Sequence, residues 1–203
     1  MVAIIDYDAG NIKSVQNAVE YLGGECVVTR DRDVIMNCDK AILPGVGAFG
    51  DAMQRLEEYD LIETIRDYTE TGKPFLGICL GLQVLFEDSE ESPGVKGLGI
   101  LKGHIKRIPD SAELKVPQIG WNSIEINTSS RLLSTTQNGA YVYFVHSYYL
   151  EAEDESIVSS STEYNTHIHS SVEKGNVFAC QFHPEKSSDI GLNILKNFLF
   201  SIS

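Results

Sequence analysis

Up to Ile78, short apolar runs alternate with stretches of helical periodicity, and this alternation leaves few folds open to the chain. Val2 to Asp6 is apolar and β-prone; after the turn Asp8-Ala9-Gly10-Asn11, the residues Ile12, Val15, Val19 and Leu22 recur at helical spacing. Gly23-Gly24 stops that helix. Glu25 to Arg30 then reads as a second strand, Asp33 to Asn37 as a short helix and Lys40 to Leu43 as a third strand. Helical pattern returns from Asp51 to Thr71, interrupted near Tyr59-Asp60, and Gly72-Lys73-Pro74 leads into another apolar strand, Phe75 to Ile78. Strands separated by helices predict a parallel sheet with helices on both faces.

Beyond residue 100 the pattern changes. Ile105 to Ile108, Ser123 to Ile126, Tyr141 to Val145, Ile157 to Ser160 and Val177 to Phe182 read as strands with few helices between them. An amphipathic helix from Ser188 to Phe200 closes the chain, with Ile190, Ile194, Leu195, Phe198 and Leu199 on its apolar side. The expected architecture is α/β: one domain, 1–203, with a largely parallel central sheet flanked by helices and a β-rich C-terminal half. The 203 residues, 42% hydrophobic, are enough to bury a real core in one domain. The acidic runs Glu87 to Glu91 and Glu151 to Glu155 read as solvated loop surface.

Sixteen Lys plus Arg against 29 Asp plus Glu give a net charge of −13, which repels nucleic-acid backbones and anionic membranes. The longest apolar stretch, Pro74 to Phe86, is broken by two glycines and Gln83 and falls short of the roughly 20 residues of a membrane span. Met1 to Gly10 has no basic region and carries Asp6 and Asp8, unlike a secretory signal, so a cytoplasmic location is expected. Cys26, Cys38, Cys79 and Cys180 are spaced too irregularly for a disulfide framework.

The chemistry concentrates at Gly77-Ile78-Cys79-Leu80-Gly81, a thiol between two glycines where a predicted strand meets a predicted helix. Such a turn strains the nucleophile's backbone, and flanking glycines relieve the crowding. The helix dipole there favours a thiolate, and the Leu80 N–H is positioned to donate to an oxyanion. A structural cysteine between glycines packed for space is the plainer alternative; the strand before and the helix after favour the nucleophile elbow. A base is available in Gln181-Phe182-His183-Pro184-Glu185: Pro184 biases His183 towards an extended conformation, in which His183 and Glu185 face one way. Cys79, His183 and Glu185 thus supply a nucleophile, a base and an orienting carboxylate, the requirements of acyl transfer through a thioester. Pro44-Gly45-Val46-Gly47 follows the third strand; lacking the Lys and Ser or Thr of a phosphate loop, it reads better as a backbone oxyanion donor. His167-Ile168-His169 and Cys180-x-x-His183 lack a second ligand pair, so no metal site and no cofactor are expected. Trp121, Tyr141, Tyr143, Tyr148 and Tyr149 read as core or rim aromatics of strands.

Gly77-Ile78-Cys79-Leu80-Gly81-Leu82-Gln83 together with His183-Pro184-Glu185 resembles the class I, triad-type glutamine amidotransferases, and the resemblance spans nearly the whole chain. More narrowly, Ile4-Ile5-Asp6-Tyr7 with Gly10-Asn11, Pro44 to Gly50, Gly120-Trp121-Asn122 and Tyr143-Phe144-Val145-His146-Ser147-Tyr148 resemble the glutaminase-subunit family of imidazole glycerol phosphate synthase. The resemblance implies that Cys79 attacks the side-chain amide of glutamine, that His183 passes the proton to departing ammonia and that Glu185 orients His183. It also implies an oxyanion hole at the N–H groups of Leu80 and, after the Gly45-Val46 peptide rearranges, Val46. Glutamine would be held by Gln83, Glu91, His146, Ser147 and Tyr148, while Asn11, Trp121, Tyr143 and Lys186 would belong to a subunit interface and its gate.

The family's partner is a (β/α)₈-barrel cyclase subunit. It joins the ammonia to a phosphoribulosyl formimino carboxamide ribotide in histidine biosynthesis, giving imidazole glycerol phosphate and an aminoimidazole carboxamide ribotide. Free ammonia in neutral water is mostly protonated and no longer nucleophilic, so it must pass through protected space to a second polypeptide. A heterodimer is the expected form. One departure is Gln118, where the family more often has His and Met before Gly-Trp-Asn. The competing readings are a glutaminase serving another ammonia-using synthase, such as a surface-sugar amidation paralogue, and a non-catalytic sensor that kept an elbow cysteine.

Overall fold

A computed structural model describes residues 1–8, 10–112, 114–127 and 130–203; Ala9 of the expected first turn lies outside the described residues. The chain runs β1 (Val2–Ile5), α1 (Ile12–Tyr21), β2 (Cys26–Thr29), α2 (Arg32–Asn37), β3 (Lys40–Gly45), α3 (Phe49–Glu58), α4 (Leu61–Glu70), β4 (Phe75–Cys79) and α5 (Leu80–Gln83). It continues through β5 (Asp88–Ser89), β6 (Gly103–Arg107), β7 (Gln118–Ser123), β8 (Glu125–Ile126), β9 (Tyr141–His146) and β10 (Tyr148–Ala152). The remainder is β11 (Val158–Glu163), β12 (His167–Lys174), β13 (Val177–Cys180) and α6 (Ser188–Lys196), with a wider helical turn, Asn197–Ser201, at the end.

The main sheet has the order β2-β1-β3-β4-β13-β12-β10-β6-β5, with β11 on β12 and β8 on β11; β7 and β9 form a separate two-stranded ribbon. β2, β1, β3, β4 and β13 run parallel to one another, whereas β12, β10, β6 and β11 pair antiparallel with their neighbours. Period-two alternation sorts the parallel strands onto two cores. Ala3, Ile5, Ala41 and Leu43 face α2, α3 and α4, where they meet Ile35, Leu56, Ile65 and Tyr68. Val2, Ile4, Ile42, Leu76 and Ile78 face α1 and α6, meeting Val15, Val19, Ile194 and Leu195. Every residue of β4 is buried, as a strand covered on both faces requires. Each large aliphatic side chain buried this way contributes about 1.5–3 kcal/mol.

The expected break near Tyr59-Asp60 is a change of direction between α3 and α4: Asp60 takes a left-handed conformation, φ 54°. Two readings need correction. The run Glu87 to Glu91 is not loosely solvated: Asp88–Ser89 is a strand parallel to β6, and Glu87, Glu90 and Glu91 accept backbone N–H groups of Gly103, Arg107 and Phe49. Glu151 lies in β10, paired with Lys106 at 2.8 Å while its neighbour Ala152 is buried. The strand expected over Ser123 to Ile126 is two strands, β7 and β8, and β7 begins earlier, at Gln118. No helix among the described residues is long and apolar enough to cross a membrane.

Candidate active site

Cys79 is the last residue of β4 and has φ 56°, ψ −109°, a conformation that non-glycine residues rarely adopt. The flanking glycines make it feasible: a Cβ at Gly81 would lie 1.9 Å from the Leu43 carbonyl oxygen, and one at Gly77 would lie 2.6 Å from that of Gly81. The helix that follows is a single turn, Leu80–Gln83, so the expected dipole reduces to the local N–H groups at its start.

β13 lies beside β4 and ends at Cys180, so the segment after it returns to the elbow. His183 is extended, φ −100°, ψ 97°, as the following proline favours. Its N–H donates to the Tyr143 carbonyl at 2.9 Å, and Ser187 Oγ donates to its carbonyl at 2.6 Å. Nδ1 lies 2.7 Å from Glu185 Oε1 with both side chains buried. The expectation that an extended segment brings these two together is corrected, because Glu185 belongs to a 3₁₀ turn, Pro184–Lys186, that Pro184 opens. Burial pulls the His183 pKa down, but the Cys79 side chain and the Glu185 carboxylate both favour the charged ring and together raise it to about 9. The pair is therefore set to keep a proton on the ring at neutral pH.

Asn11 joins this group directly. Its Nδ2 donates to Glu185 Oε1 at 2.5 Å and lies 3.4 Å from His183 Nδ1. An asparagine preceding a helix ordinarily caps it. Here Asn11 sits at φ 77°, makes no capping bond to α1, and turns its amide to the carboxylate. Arg30 braces the turn before it, reaching Asp6 at 2.9 Å and Asp8 at 2.8 Å, with its guanidinium 4.1 Å from the centre of the Tyr59 ring.

Cys79 opens onto a cavity of about 300 Å³, at the small end of the range for small-molecule sites. Val46 and Leu80 line it beside the thiol, and Gln83, Glu91, His146, Ser147 and Tyr148 line the rest with Gly47, Pro117 and Val145. All the residues expected to touch glutamine thus come together. Several are already tied to the protein. Gln83 Nε2 donates to the Tyr148 carbonyl and to Gln181 Oε1, each at 3.0 Å. Glu91 Oε2 accepts the Phe49 N–H at 2.8 Å, which fixes the carboxylate at the start of α3. His146 is held between the Tyr148 carbonyl and the Gln118 side chain, 2.9 Å from each, and burial pushes its pKa down to about 4, so the ring is neutral. Gln118, the departure from the family pattern, thereby braces His146, a residue of the pocket wall, from behind. Gln181 was missed: its Nε2 lies 3.6 Å from Cys79 Sγ. Its position two residues before His183, on an extended run, was the signal that could have found it.

Side chains alternate across the ribbon of β7 and β9. Gln118, Val142, Phe144 and His146 turn inward, whereas Ile119, Trp121 and Tyr141 are 63%, 50% and 60% exposed on the other face. Trp121 and Tyr141 are therefore not core residues: they project into solvent. Trp121 and Tyr143 meet edge to face, ring centres 6.1 Å apart. Lys186 is exposed in the turn that carries Glu185. Of the residues considered for zinc, His167 pairs with Glu163 at 2.5 Å and His169 accepts the Ala152 N–H. Among the described residues the group of possible metal ligands is Glu87, His104 and Glu153, none of which lines the cavity, and His104 is already bound to Asp88 at 2.6 Å.

The model of the glutamine amidotransferase class-I family matches residues 3–202. The chain is 50% identical to the imidazole glycerol phosphate synthase subunit HisH of Bacillus cereus strain G9842, over 98% of this chain and 93% of that protein. It is 51% identical to HisH of Aquifex aeolicus over 96% and 94%, and 49% identical to HisH of Methanocaldococcus jannaschii over 98% of each chain. A crystal structure of a glutamine amidotransferase superposes with TM-score 0.75 at 20% identity, covering 98% and 99% of the two chains. PurLQS from Thermotoga maritima superposes with TM-score 0.74 at 21% identity over 98% and 96%. These two likenesses concern the fold alone, while the sequence relatives match along nearly their full length. The chain belongs to the class-I glutamine amidotransferase family and, within it, to the HisH subunits of imidazole glycerol phosphate synthase.

Proposed function

We propose that this chain, acting as one unit over residues 1–203, is the cytoplasmic glutaminase subunit of an imidazole glycerol phosphate synthase. It hydrolyses glutamine to glutamate and ammonia and delivers the ammonia to a cyclase subunit. The observation that carries this is a strained cysteine at the floor of an amino-acid-sized cavity, backed by a buried His183–Glu185 pair at 2.7 Å. Cys79 Sγ, its proton already passed to the His183 ring, attacks the side-chain amide carbon of glutamine. The N–H groups of Leu80 and Val46 receive the charge that forms on the amide oxygen. The C–N bond breaks as His183 gives its proton to the nitrogen, releasing ammonia and leaving a thioester. Water, deprotonated by His183, then cleaves the thioester to glutamate. Glu185, held by Asn11, keeps the imidazole in the required orientation. Gln181, Gln83 and His146 form a fixed polar wall, and Glu91 answers the ammonium end of the substrate.

The exposed face of the ribbon, with Ile119, Trp121 and Tyr141, is the docking surface for the cyclase, and Tyr143, Lys186 and Asn11 lie along its approach to the triad. The test is glutamine turnover by the purified chain alone and with a cyclase subunit, with and without that subunit's ribotide. Strong stimulation by cyclase and ribotide is expected. Turnover that neither changes would remove the synthase from the reading, and no turnover in any mixture would remove the glutaminase.

A further inference from the structure

Tyr7 follows β1 and is almost wholly buried, 1% exposed, yet its hydroxyl has no hydrogen-bond partner. Leaving a buried hydroxyl unpaired costs about 1–3 kcal/mol, and such groups in folded proteins call for an explanation. The backbone around Tyr7 is not free to drift, because Arg30 grips both of its neighbours, Asp6 and Asp8. The hydroxyl sits against Gly45: a Cβ at that position would lie 2.2 Å from it. No residue other than glycine leaves room there.

Gly45 ends β3, which runs between β1 and β4. On one side is the chain that continues through Tyr7; on the other is Cys79, the register partner of Gly45. The N–H and C=O of a trans peptide in a strand point to opposite sides within the sheet. A Gly45-Val46 peptide that aims its Val46 N–H towards Cys79 therefore turns its carbonyl towards the β1 side, the side from which Tyr7 reaches over Gly45 with its hydroxyl unpartnered. Glycines on both sides of Val46, Gly45 and Gly47 (φ 110°), allow that peptide to turn.

We propose that Tyr7 is a positioning residue for glutamine hydrolysis: its hydroxyl donates to the Gly45 carbonyl and so holds the Val46 N–H on the oxyanion of the intermediate. The inference rests on the reading of Val46 as an oxyanion donor and adds the group that sets its direction. The hydroxyl touches no reacting atom. Its unpaired state in the present conformation and its pairing in the working one bias the peptide between two orientations, so its removal should fall on the rate and not on binding.

The experiment uses Tyr7→Phe, which keeps the ring and loses only the hydroxyl, in the assembled complex with a cyclase subunit and its ribotide. Expected are a glutamine kcat lowered about tenfold, as for one neutral hydrogen bond made in the transition state, an unchanged KM for glutamine, unchanged synthesis from added ammonia, and a Tm equal to or above that of the parent. A kcat within twofold of the parent overturns the proposal. So does a loss of kcat accompanied by a lower Tm or a raised KM, which would make Tyr7 a packing residue. If the parent complex itself hydrolyses no glutamine, the glutaminase reading falls and the role of Tyr7 falls with it, an outcome distinct from a selective effect of the variant.

Discussion

The five parallel strands and the antiparallel strands beside them belong to one sheet but are held together differently. β1, β3 and β4 are sandwiched between helices, and their cohesion is aliphatic packing on both faces. β11 and β12 are held in part by buried hydroxyls: Ser160 lies 2.7 Å from Ser170 and 2.6 Å from Ser171, and Ser159 lies 2.7 Å from Ser171, all in the interior. The difference matches the division of labour at the site. The parallel strands present Cys79 on a rigid apolar base, where a strained backbone can be sustained. The antiparallel side and its ribbon supply directional polar groups: His146 and Tyr148 in the pocket wall, and Gln118, which holds His146.

That division can be broken most severely at the nucleophile. Cys79→Ala should abolish glutamine-dependent synthesis by the complex while synthesis from added ammonia persists, measured as product formed with each nitrogen source; loss of both in an assembled complex would contradict it. His183→Ala should lower glutamine kcat by several orders of magnitude, and Glu185→Ala by roughly one to two orders less, since an orienting carboxylate contributes less than the base it holds. Equal losses would mean that Glu185 does more than orient. The two modes of cohesion separate in stability: Ile42→Ala in β3 should cost about 2–5 kcal/mol, against about 1 kcal/mol for Ser160→Ala, read from urea midpoints. Reversed costs would overturn the contrast.

The smallest effects lie in pH dependence. His183 is held up at about 9 against an ordinary 6.5, so its contribution to stability is complete below about 6.5 and is lost as the pH rises through 9. His146 is pushed down to about 4, so its contribution is present above 6.5 and is lost as the pH falls towards 4. Unfolding midpoints measured across pH should lose their alkaline slope in His183→Gln and their acid slope in His146→Gln. Variants that kept both slopes would place the titration elsewhere.

The same contrast explains what could be read from the sequence. Apolar runs broken by glycines place β1 to β4 within about two residues, and the spacing of Gly77, Cys79 and Gly81 marks the elbow. The polar run Ser159-Ser160-Ser161-Thr162 looks like the end of a strand, yet it continues to Glu163, because cross-strand hydroxyl pairs replace the apolar contacts that patterning detects. Asn11, expected at an interface and its gate, also holds Glu185. No local pattern announces a contact between residues so far apart in the chain, and an asparagine before a helix ordinarily signals only a cap. The Tyr7 hydroxyl is equally silent, since its meaning lies in the missing Cβ of Gly45.

The ribbon of β7 and β9 has its buried side chains on one face and its exposed aromatic residues on the other, with Gln118 opposite His146 and Trp121 opposite Tyr143. Sliding one strand by a single residue would exchange the two faces, sending Trp121 towards the core and Gln118 into solvent. Insertion or deletion of one residue within β7 would therefore disturb the buried support of His146 and the exposed aromatic face in the same step, whereas a change of two residues would keep both faces in phase. An odd change of length along this segment thus needs a bulge to restore the phase.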